Sequence, residues 1–131
     1  MITNEFNWDC EVRAHEIDAQ GIVNNAHYFC YFDHVRTLQV KHLGIDWVEL
    51  SQKGFDLVLA HAEMRFLRSL RAFQRFKVLS VLSQEGKLKW VFDQKLVDEE
   101  NQLVCQGINT VVCIDRQRNK PIPLERICSL G

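Results

Sequence analysis

The stretch from residue 26 to residue 43 constrains the fold most strongly, because its apolar side chains recur at helical spacing. These side chains follow one another at steps of four, three and three: Tyr28, Phe32, Val35 and Leu38. Asn24 or Asn25 can cap the start of such a helix, and Gly44 can end it in a left-handed conformation. A helix of about 18 residues is about 27 Å long, which is enough to form the centre of a small domain.

Strand patterns precede and follow this helix. Residues 6–14 alternate, with these side chains on one face: Phe6, Trp8, Cys10, Val12 and Ala14. Four further strands are predicted in residues 56–66, 73–82, 88–97 and 103–114, and short turns join the last three into an antiparallel meander. Leu88 is expected on the buried face with Trp90, and residues 115–131 are predicted to form a turn and a loosely held end.

This order of one strand, one long helix and four strands predicts an α+β fold in a single domain of residues 1–131. A five-stranded antiparallel sheet can curl around the long helix and bury it. In the first strand after the helix, Val58, Ala60, Ala62, Met64 and Phe66 are expected on the core face. The opposite face then combines polar with apolar side chains, which indicates a dimer interface: His61, Glu63, Arg65, Leu57, Leu59 and Val91.

The composition argues against several classes of partner. The formal net charge is −1, so no overall field attracts nucleic acid or an anionic membrane. We see no signal peptide at the N-terminus, and no apolar run is long enough to span a bilayer. The five cysteines are scattered without a CxxC pair, which is typical of reduced thiols in a cytoplasmic protein.

Asp18 lies three residues before Gly21, between the first strand and the helix, and it has two interpretations. An Asp and a Gly at this spacing are common in turns. The position also suits catalysis, because the first turn of a helix has unpaired N–H groups and a positive dipole end. Those groups can hold the oxyanion that forms when a carbonyl is attacked, while a nearby carboxylate attacks the carbonyl or deprotonates a water.

The stretch "DAQGIVNNAHY", followed by "YFDHVR", resembles the signature of hotdog-fold acyl-CoA thioesterases of the 4-hydroxybenzoyl-CoA thioesterase-like family. The places of that signature are filled by Asp18, Gly21, Val23, Tyr28, Asp33 and Arg36. The resemblance covers nearly the whole chain, because the order of strands and helix also matches. It implies hydrolysis of an acyl-CoA thioester to a carboxylic acid and free CoA, without a metal or redox cofactor.

The resemblance also implies roles for individual residues. Asp18 is the catalytic carboxylate, as nucleophile or general base, and the backbone N–H of Asn25 polarises the thioester carbonyl. Gly21 lets the backbone approach the substrate, and Tyr28 lines the acyl pocket or packs against its floor. The substrate-binding stretch also includes Val23 and Asn24.

The resemblance further suggests the substrate and the assembly. The Asn24–Asn25 pair is closer to the fatty-acyl branch of the family than to the aryl-CoA branch. A single unit leaves a sheet face and the sites incomplete, so a homodimer or homotetramer is expected. The carrier can be CoA or acyl-carrier protein. Two other functions compete: a hydratase or dehydratase on the same fold, and a non-catalytic acyl-CoA-binding module. Asp18 favours the hydrolase.

The segment from Met64 to Lys77 holds five basic residues and no acid. Solvated strand ends are one explanation, because most charged runs are simply exposed. The other is a site for the phosphates of coenzyme A, which suit arginine donors. Arg68 and Arg71 are the best candidates for that site.

Two groups on the helix have both a structural and a functional interpretation. Asp33 and Arg36 are three residues apart, so a helical ion pair is favoured over a second acid at the site. The side chains of His27, Cys30 and His34 share one helix face and suit zinc chemically. Because no fourth ligand is evident nearby, packing or solvent-facing roles are favoured for these three.

Overall fold

The computed structural model describes residues 3–126, and in this range one antiparallel sheet curls around one long helix. Strand β1 spans Thr3–Glu11, and a short 3-10 turn at Ala14–Glu16 follows it. The helices are α1, Asn25–His42, and α2, Trp47–Gln52. The remaining strands are β2, Phe55–Phe66; β3, Arg75–Glu85; β4, Lys89–Asp98; β5, Leu103–Asp115; and β6, Lys120–Ile122.

The strands lie in the order β1–β3–β4–β5–β2, and every pairing between them is antiparallel. The predicted five-stranded sheet and its long helix are therefore confirmed. The structure adds α2 and a sixth strand, β6, which pairs with the end of β5. The prediction of a loosely held end is wrong for residues 120–126, because Ile122 and Leu124 are buried in the core. Residues 127–131 lie outside the described part of the chain.

Helix α1 begins and ends where the capping residues predict. The side chain of Asn24 accepts the N–H of Ala26 at 2.9 Å, and Gly44 has a φ of +86° just beyond the helix. Tyr28, the first residue of the predicted apolar stripe, is buried. Near the helix end, Gln39 and Val40 are buried and the predicted stripe residue Leu38 is half-buried; the hydroxyl of Ser80 donates to the side chain of Gln39. Within residues 3–126, no helix has the length and apolar character needed to cross a bilayer.

The core has two parts that follow one another along α1. The part around the helix start also contains residues of β3, β4, β5 and the loops: Val12, Val23, Tyr28, Tyr31, Phe32, Val35, Leu70, Phe76, Val78, Leu96, Val104 and Cys105. The part around the helix end joins α2 with β3, β4, β5 and β6: Val40, Ile45, Leu50, Leu82, Trp90, Phe92, Val111, Cys113, Ile122 and Leu124. Each large side chain fully buried in this way contributes about 1.5–3 kcal/mol to folding.

Strand β2 departs from the predicted alternation. The pairing with β5 shifts register between Leu59 and His61, which leaves Ala60 as an extra residue in β2. The alternation therefore changes phase at Ala60, and Leu57 packs into the same interior as Met64. The prediction that Leu57 faces away from the core is wrong, because sequence periodicity cannot reveal a bulge, whereas Leu59 is exposed. Leu88 also departs from its prediction, since it lies in the turn before β4 and is exposed.

Candidate functional site

Asp18 lies in a tight loop between β1 and α1. The loop closes where Ile17 and Val23 pair as an antiparallel bridge, and the N–H of Asp18 donates to the carbonyl of Ile22 at 2.9 Å. Gly21 has a φ of +80°, which glycine adopts without the strain that a side chain would cause. Since the returning side of the loop leads directly into α1, Asp18 and the helix start belong to one hairpin.

The carboxylate of Asp18 is fixed through one oxygen. Its Oδ1 accepts the N–H of Gln20 at 2.8 Å and that of Ile22 at 3.4 Å. The interpretation of Asp18 as a turn residue is therefore correct. The described part of the chain supplies no hydrogen bond to Oδ2, and the side chain is only half-buried. The turn thus orients the carboxylate and leaves one oxygen available for chemistry.

The start of α1 provides an unused hydrogen-bond donor. The N–H groups of Ala26 and His27 both donate to Asn24, one to its side chain and one to its carbonyl, each at 2.9 Å. The N–H of Asn25, the first residue of the helix, has no acceptor among residues 3–126. A donor of this kind, at the positive end of a helix dipole, suits a developing negative charge.

Val23 and Tyr28 support the site from within the core. Both are almost fully buried, at 2% and 1% exposure. The N–H of Val23 donates to the carbonyl of Leu70 at 2.9 Å, and the N–H of Leu70 donates to the hydroxyl of Tyr28 at 3.1 Å. These bonds anchor the loop of residues 67–74 against the Asp18 loop.

That anchored loop brings Arg71 next to the Asp18 loop, where it pairs with Ile22 as a β-bridge. The side chains of Arg68 and Arg71 are exposed, and neither forms an ion pair within residues 3–126. By contrast, Arg75 lies 3.7 Å from Glu11, and Lys77 lies 4.0 Å from Asp9. Arg71 therefore lies beside the Asp18 loop, and both predicted phosphate-binding arginines are without an ion pair in the described part of the chain.

Sequence reasoning missed a buried carboxylate beside the site. Glu16 is 3% exposed, and it accepts hydrogen bonds from Arg13 and from the hydroxyl of Tyr31. Burial by itself would raise the pKa of Glu16, but the hydrogen bonds from Arg13 and Tyr31 outweigh it and hold that pKa below its usual value. The spacing of Arg13 and Glu16, three residues apart, was the signal that could have revealed this pair.

A cavity of about 90 Å³ lies farther along α1 rather than beside Asp18. It is lined by side chains of α1, α2, β2, β4 and β5: Asp33, Arg36, Thr37, Val40, Trp47, Leu57, Leu59, Phe92 and Val111. The predicted ion pair of Asp33 and Arg36 is confirmed, with 3.3 Å between the carboxylate and the guanidinium. Asp33 is eight residues beyond Asn25, or about 12 Å along the helix axis, so it is not a second acid at the helix start.

Metal and thiol chemistry find little support in the described residues. Residues 3–126 contain no group of three or more His, Cys, Asp or Glu side chains that could hold a metal ion. His34, one of the three candidate ligands, packs edge-on against Trp8 with 5.0 Å between ring centroids. Burial raises the pKa of the Cys105 and Cys113 thiols to about 12 and about 11, so neither supplies a thiolate nucleophile at neutral pH.

Comparison of the sequence with known proteins matches the chain to one family. The profile of the Thioesterase-like superfamily matches residues 12–127. The acyl-CoA thioester hydrolase YbgC of Escherichia coli is 25% identical over 126 residues, which are 96% of this chain and 94% of YbgC. The chloroplastic acyl-acyl carrier protein thioesterase ATL3 of Arabidopsis thaliana is 33% identical over 103 residues, or 76% of this chain; these residues span 54% of ATL3.

Solved structures agree with the fold. The 1,4-dihydroxy-2-naphthoyl-CoA thioesterase Slr0204 of Synechocystis superposes with a TM-score of 0.90 at 20% identity, covering 96% of this chain and 93% of that one. A Staphylococcus aureus protein solved in complex with CoA, SAV2348, gives a TM-score of 0.87 at 17% identity, with 99% and 82% covered. The chain belongs to the Thioesterase-like superfamily, a family of thioester-hydrolysing enzymes built on the hotdog fold.

Proposed function

We propose that this chain hydrolyses acyl-CoA thioesters, with Asp18 as the catalytic carboxylate and the N–H of Asn25 as the oxyanion donor. One observation carries the assignment: a carboxylate with one oxygen fixed and one unbound lies in the same hairpin as an unpaired helix N–H. The relative YbgC, named an acyl-CoA thioester hydrolase, supports the choice of carrier.

The reaction needs only groups that this hairpin offers. As a general base, Asp18 takes a proton from a water whose oxygen attacks the thioester carbon. The carbonyl oxygen becomes negatively charged and accepts the N–H of Asn25. When the tetrahedral intermediate collapses, the C–S bond breaks, and the CoA sulfur leaves with the proton that Asp18 had taken from the water, which restores the carboxylate. In the nucleophilic alternative, Asp18 itself attacks the carbon, and water then hydrolyses the resulting anhydride.

The acyl group is the finer part of the proposal. The Asn24–Asn25 pair and the largely apolar lining of the cavity along α1 support a fatty-acyl substrate. Proteins of the same fold include the 1,4-dihydroxy-2-naphthoyl-CoA thioesterase Slr0204, so the fold is compatible with aryl groups as well. Initial rates with fatty-acyl, benzoyl and naphthoyl thioesters of CoA test the preference directly.

Arg68 and Arg71 are proposed to bind the phosphates of coenzyme A. Both are exposed, and the bridge between Ile22 and Arg71 places their loop beside the Asp18 loop. We expect Arg68→Gln with Arg71→Gln to raise KM for acyl-CoA about tenfold while kcat changes little. The same acyl group on pantetheine, which lacks the nucleotide, should show no such change. Arg75→Gln, at an arginine already paired with Glu11, is the matched control.

A second copy of the chain is proposed to complete the molecule. Strand β2 is the last in the sheet order, and most of its side chains are exposed. Such an edge can pair with the same edge of another copy in antiparallel fashion. The Phe55 end of one β2 would then lie beside the Phe66 end of the other. This pairing would bring the cavity of one protomer towards the helix start of its partner, giving the acyl chain an apolar place to enter.

The experiment that tests the proposed function is Asp18→Asn. Asparagine can still accept the N–H groups of Gln20 and Ile22, so the loop should keep its shape. The amide cannot act as base or nucleophile, so kcat for release of CoA thiol should fall by about a hundredfold or more. Asp46→Asn is the matched control, because Asp46 accepts two N–H groups in the same way at the start of α2. Near-normal turnover by Asp18→Asn would falsify the assignment.

A further inference from the structure

Glu16 is the buried titratable group closest in sequence to Asp18 that the proposed reaction does not use. Its Oε1 accepts the backbone N–H of Arg13 at 2.8 Å and the hydroxyl of Tyr31 at 2.9 Å. Its Oε2 lies 2.8 Å from the guanidinium of Arg13. Three hydrogen bonds therefore hold a carboxylate that is 3% exposed.

These partners come from the elements that position the site. Arg13 follows the end of β1, and Tyr31 lies in the second turn of α1. The backbone carbonyl of Glu16 also accepts the N–H of Asn24, the cap of α1, at 3.5 Å. Glu16 thus connects the chain entering the Asp18 loop with the helix whose first N–H is the proposed oxyanion donor.

The Tyr31 end of the network is packed into the core. Tyr31 packs against Phe76, with 4.7 Å between ring centroids, and is itself buried. Burial, together with the hydrogen bond to Glu16, raises the pKa of the Tyr31 hydroxyl far above its usual value, so it remains a donor. Hydrogen bonds from Arg13 and Tyr31 outweigh burial and keep the pKa of Glu16 below its usual value, so the carboxylate remains an acceptor at neutral pH.

We propose that Glu16 is a positioning residue for the hydrolysis: it sets the placement of the Asp18 carboxylate relative to the N–H of Asn25. The inference rests on the proposed function of those two groups. Glu16 does not touch the reacting atoms. It acts because Asp18 follows two residues later in the same loop. Among the described residues, that loop has no other buried polar side chain that is bonded to α1.

The primary test is Glu16→Gln, assayed for kcat, KM and thermal unfolding. Glutamine keeps the size of the side chain but loses the charge that pairs with Arg13. A displacement of about 1 Å can cost about a hundredfold in rate, so kcat should fall between about tenfold and a hundredfold. KM should stay within about twofold, because the acyl and CoA contacts are made elsewhere.

The matched control is Gln39→Leu, which removes a buried polar group of α1 at the opposite end of the helix. Gln39 is fully buried and bonds to the carbonyls of Asn4 at 3.1 Å and Ser80 at 3.3 Å. This variant should lower thermal stability and leave kcat unchanged. A similar loss of kcat in both variants would mean that Glu16 matters only for stability, and the proposal would be overturned.

A double variant separates the positioning role from an independent effect. If Glu16 acts through Asp18, the Asp18→Asn/Glu16→Gln variant should be no slower than Asp18→Asn alone. If the two losses of kcat multiply in the double variant, the proposal is contradicted. If Glu16→Gln keeps full turnover while Asp18→Asn is inactive, the positioning role of Glu16 is refuted and the proposed function stands. If Asp18→Asn is active, the proposed function itself is refuted.

If Glu16→Gln does not fold, Tyr31→Phe gives the answer. It deletes one hydrogen bond to Glu16 and keeps the ion pair with Arg13. A fall in kcat of about threefold to tenfold at constant KM supports positioning, and an unchanged kcat overturns it.

Discussion

At the scale of single residues, the site depends on backbone conformations that few side chains tolerate. Gly21 has a φ of +80°, and a Cβ added there would meet no heavy atom within 4 Å. Position 21 therefore requires glycine because of its backbone conformation and not because a side chain would lack space. Gly107 is the opposite case, because an added Cβ would lie 2.8 Å from both Asn109 Nδ2 and Met64 Sδ. The expectation that Gly21 lets the backbone approach a substrate stays a prediction.

The prediction at this scale is that Gly21→Ala destabilises the chain by about 1–2 kcal/mol, the cost of a left-handed conformation for an ordinary residue. Gly21→Asn is the control, because asparagine adds a larger side chain but tolerates this conformation better. The free energy of unfolding, measured in urea, should therefore be highest for the wild type, lower for Gly21→Asn and lowest for Gly21→Ala. If both variants lost equal stability, crowding rather than φ would be the cause.

At the scale of elements, α1 is fixed to the sheet by buried polar groups as well as by apolar packing. Gln94 of β4 accepts from Arg36 at 3.0 Å and from Asn109 at 2.9 Å, and it donates to the carbonyl of Phe32 at 3.1 Å. Burial lowers the pKa of Arg36, while the nearby Asp33 opposes that shift. Every buried side-chain nitrogen and oxygen in the described residues has a partner, so this network is complete.

The prediction at this scale is that Gln94→Leu costs about 2–4 kcal/mol. The substitution leaves donors on Arg36 and Asn109 and the carbonyl of Phe32 without their partner inside the fold. Gln106→Leu is the control, because the side chain of Gln106 bonds to Asp93 and is partly exposed; it should change stability by less than about 0.5 kcal/mol. Equal midpoints of chemical unfolding for the two variants would contradict the role of the network.

At the scale of the whole molecule, the curled sheet leaves two surfaces for association. One is the edge of β2, which includes the exposed side chains of Leu59 and Phe66. The other is the outer face of the sheet, where Leu79, Val81 and Val91 are half-buried beside charged neighbours. Continuous pairing through β2 would bury the first surface, and a tetramer would also cover the second. The single domain and the cytoplasmic location expected from the sequence stay predictions.

The prediction at this scale concerns the mass of the assembly in solution. Sedimentation equilibrium at micromolar concentration should give about two or four times the chain mass of 15.4 kDa. Phe66→Lys, which places a charge at the β2 edge, should shift the distribution towards the single chain, whereas Glu85→Lys at the far end of β3 should not. A wild-type protein that sediments at 15.4 kDa would contradict the proposed assembly.

The sequence by itself determined the local features of this protein. Helical spacing and capping residues located α1 to within a residue at each end, and the hotdog signature placed Asp18 and Gly21 on the connection that leads into this helix. These features depend on neighbours along the chain, so periodicity and turn chemistry are sufficient to find them.

Only the tertiary structure decided which distant groups meet. The bulge at Ala60 and the contact of Glu16 with Tyr31 each depend on partners that are not neighbours along the chain. Arg71 reaches the Asp18 loop for the same reason, through a bridge to Ile22. No local pattern encodes such contacts, because they form only when the sheet closes around α1 and fixes the register of its strands.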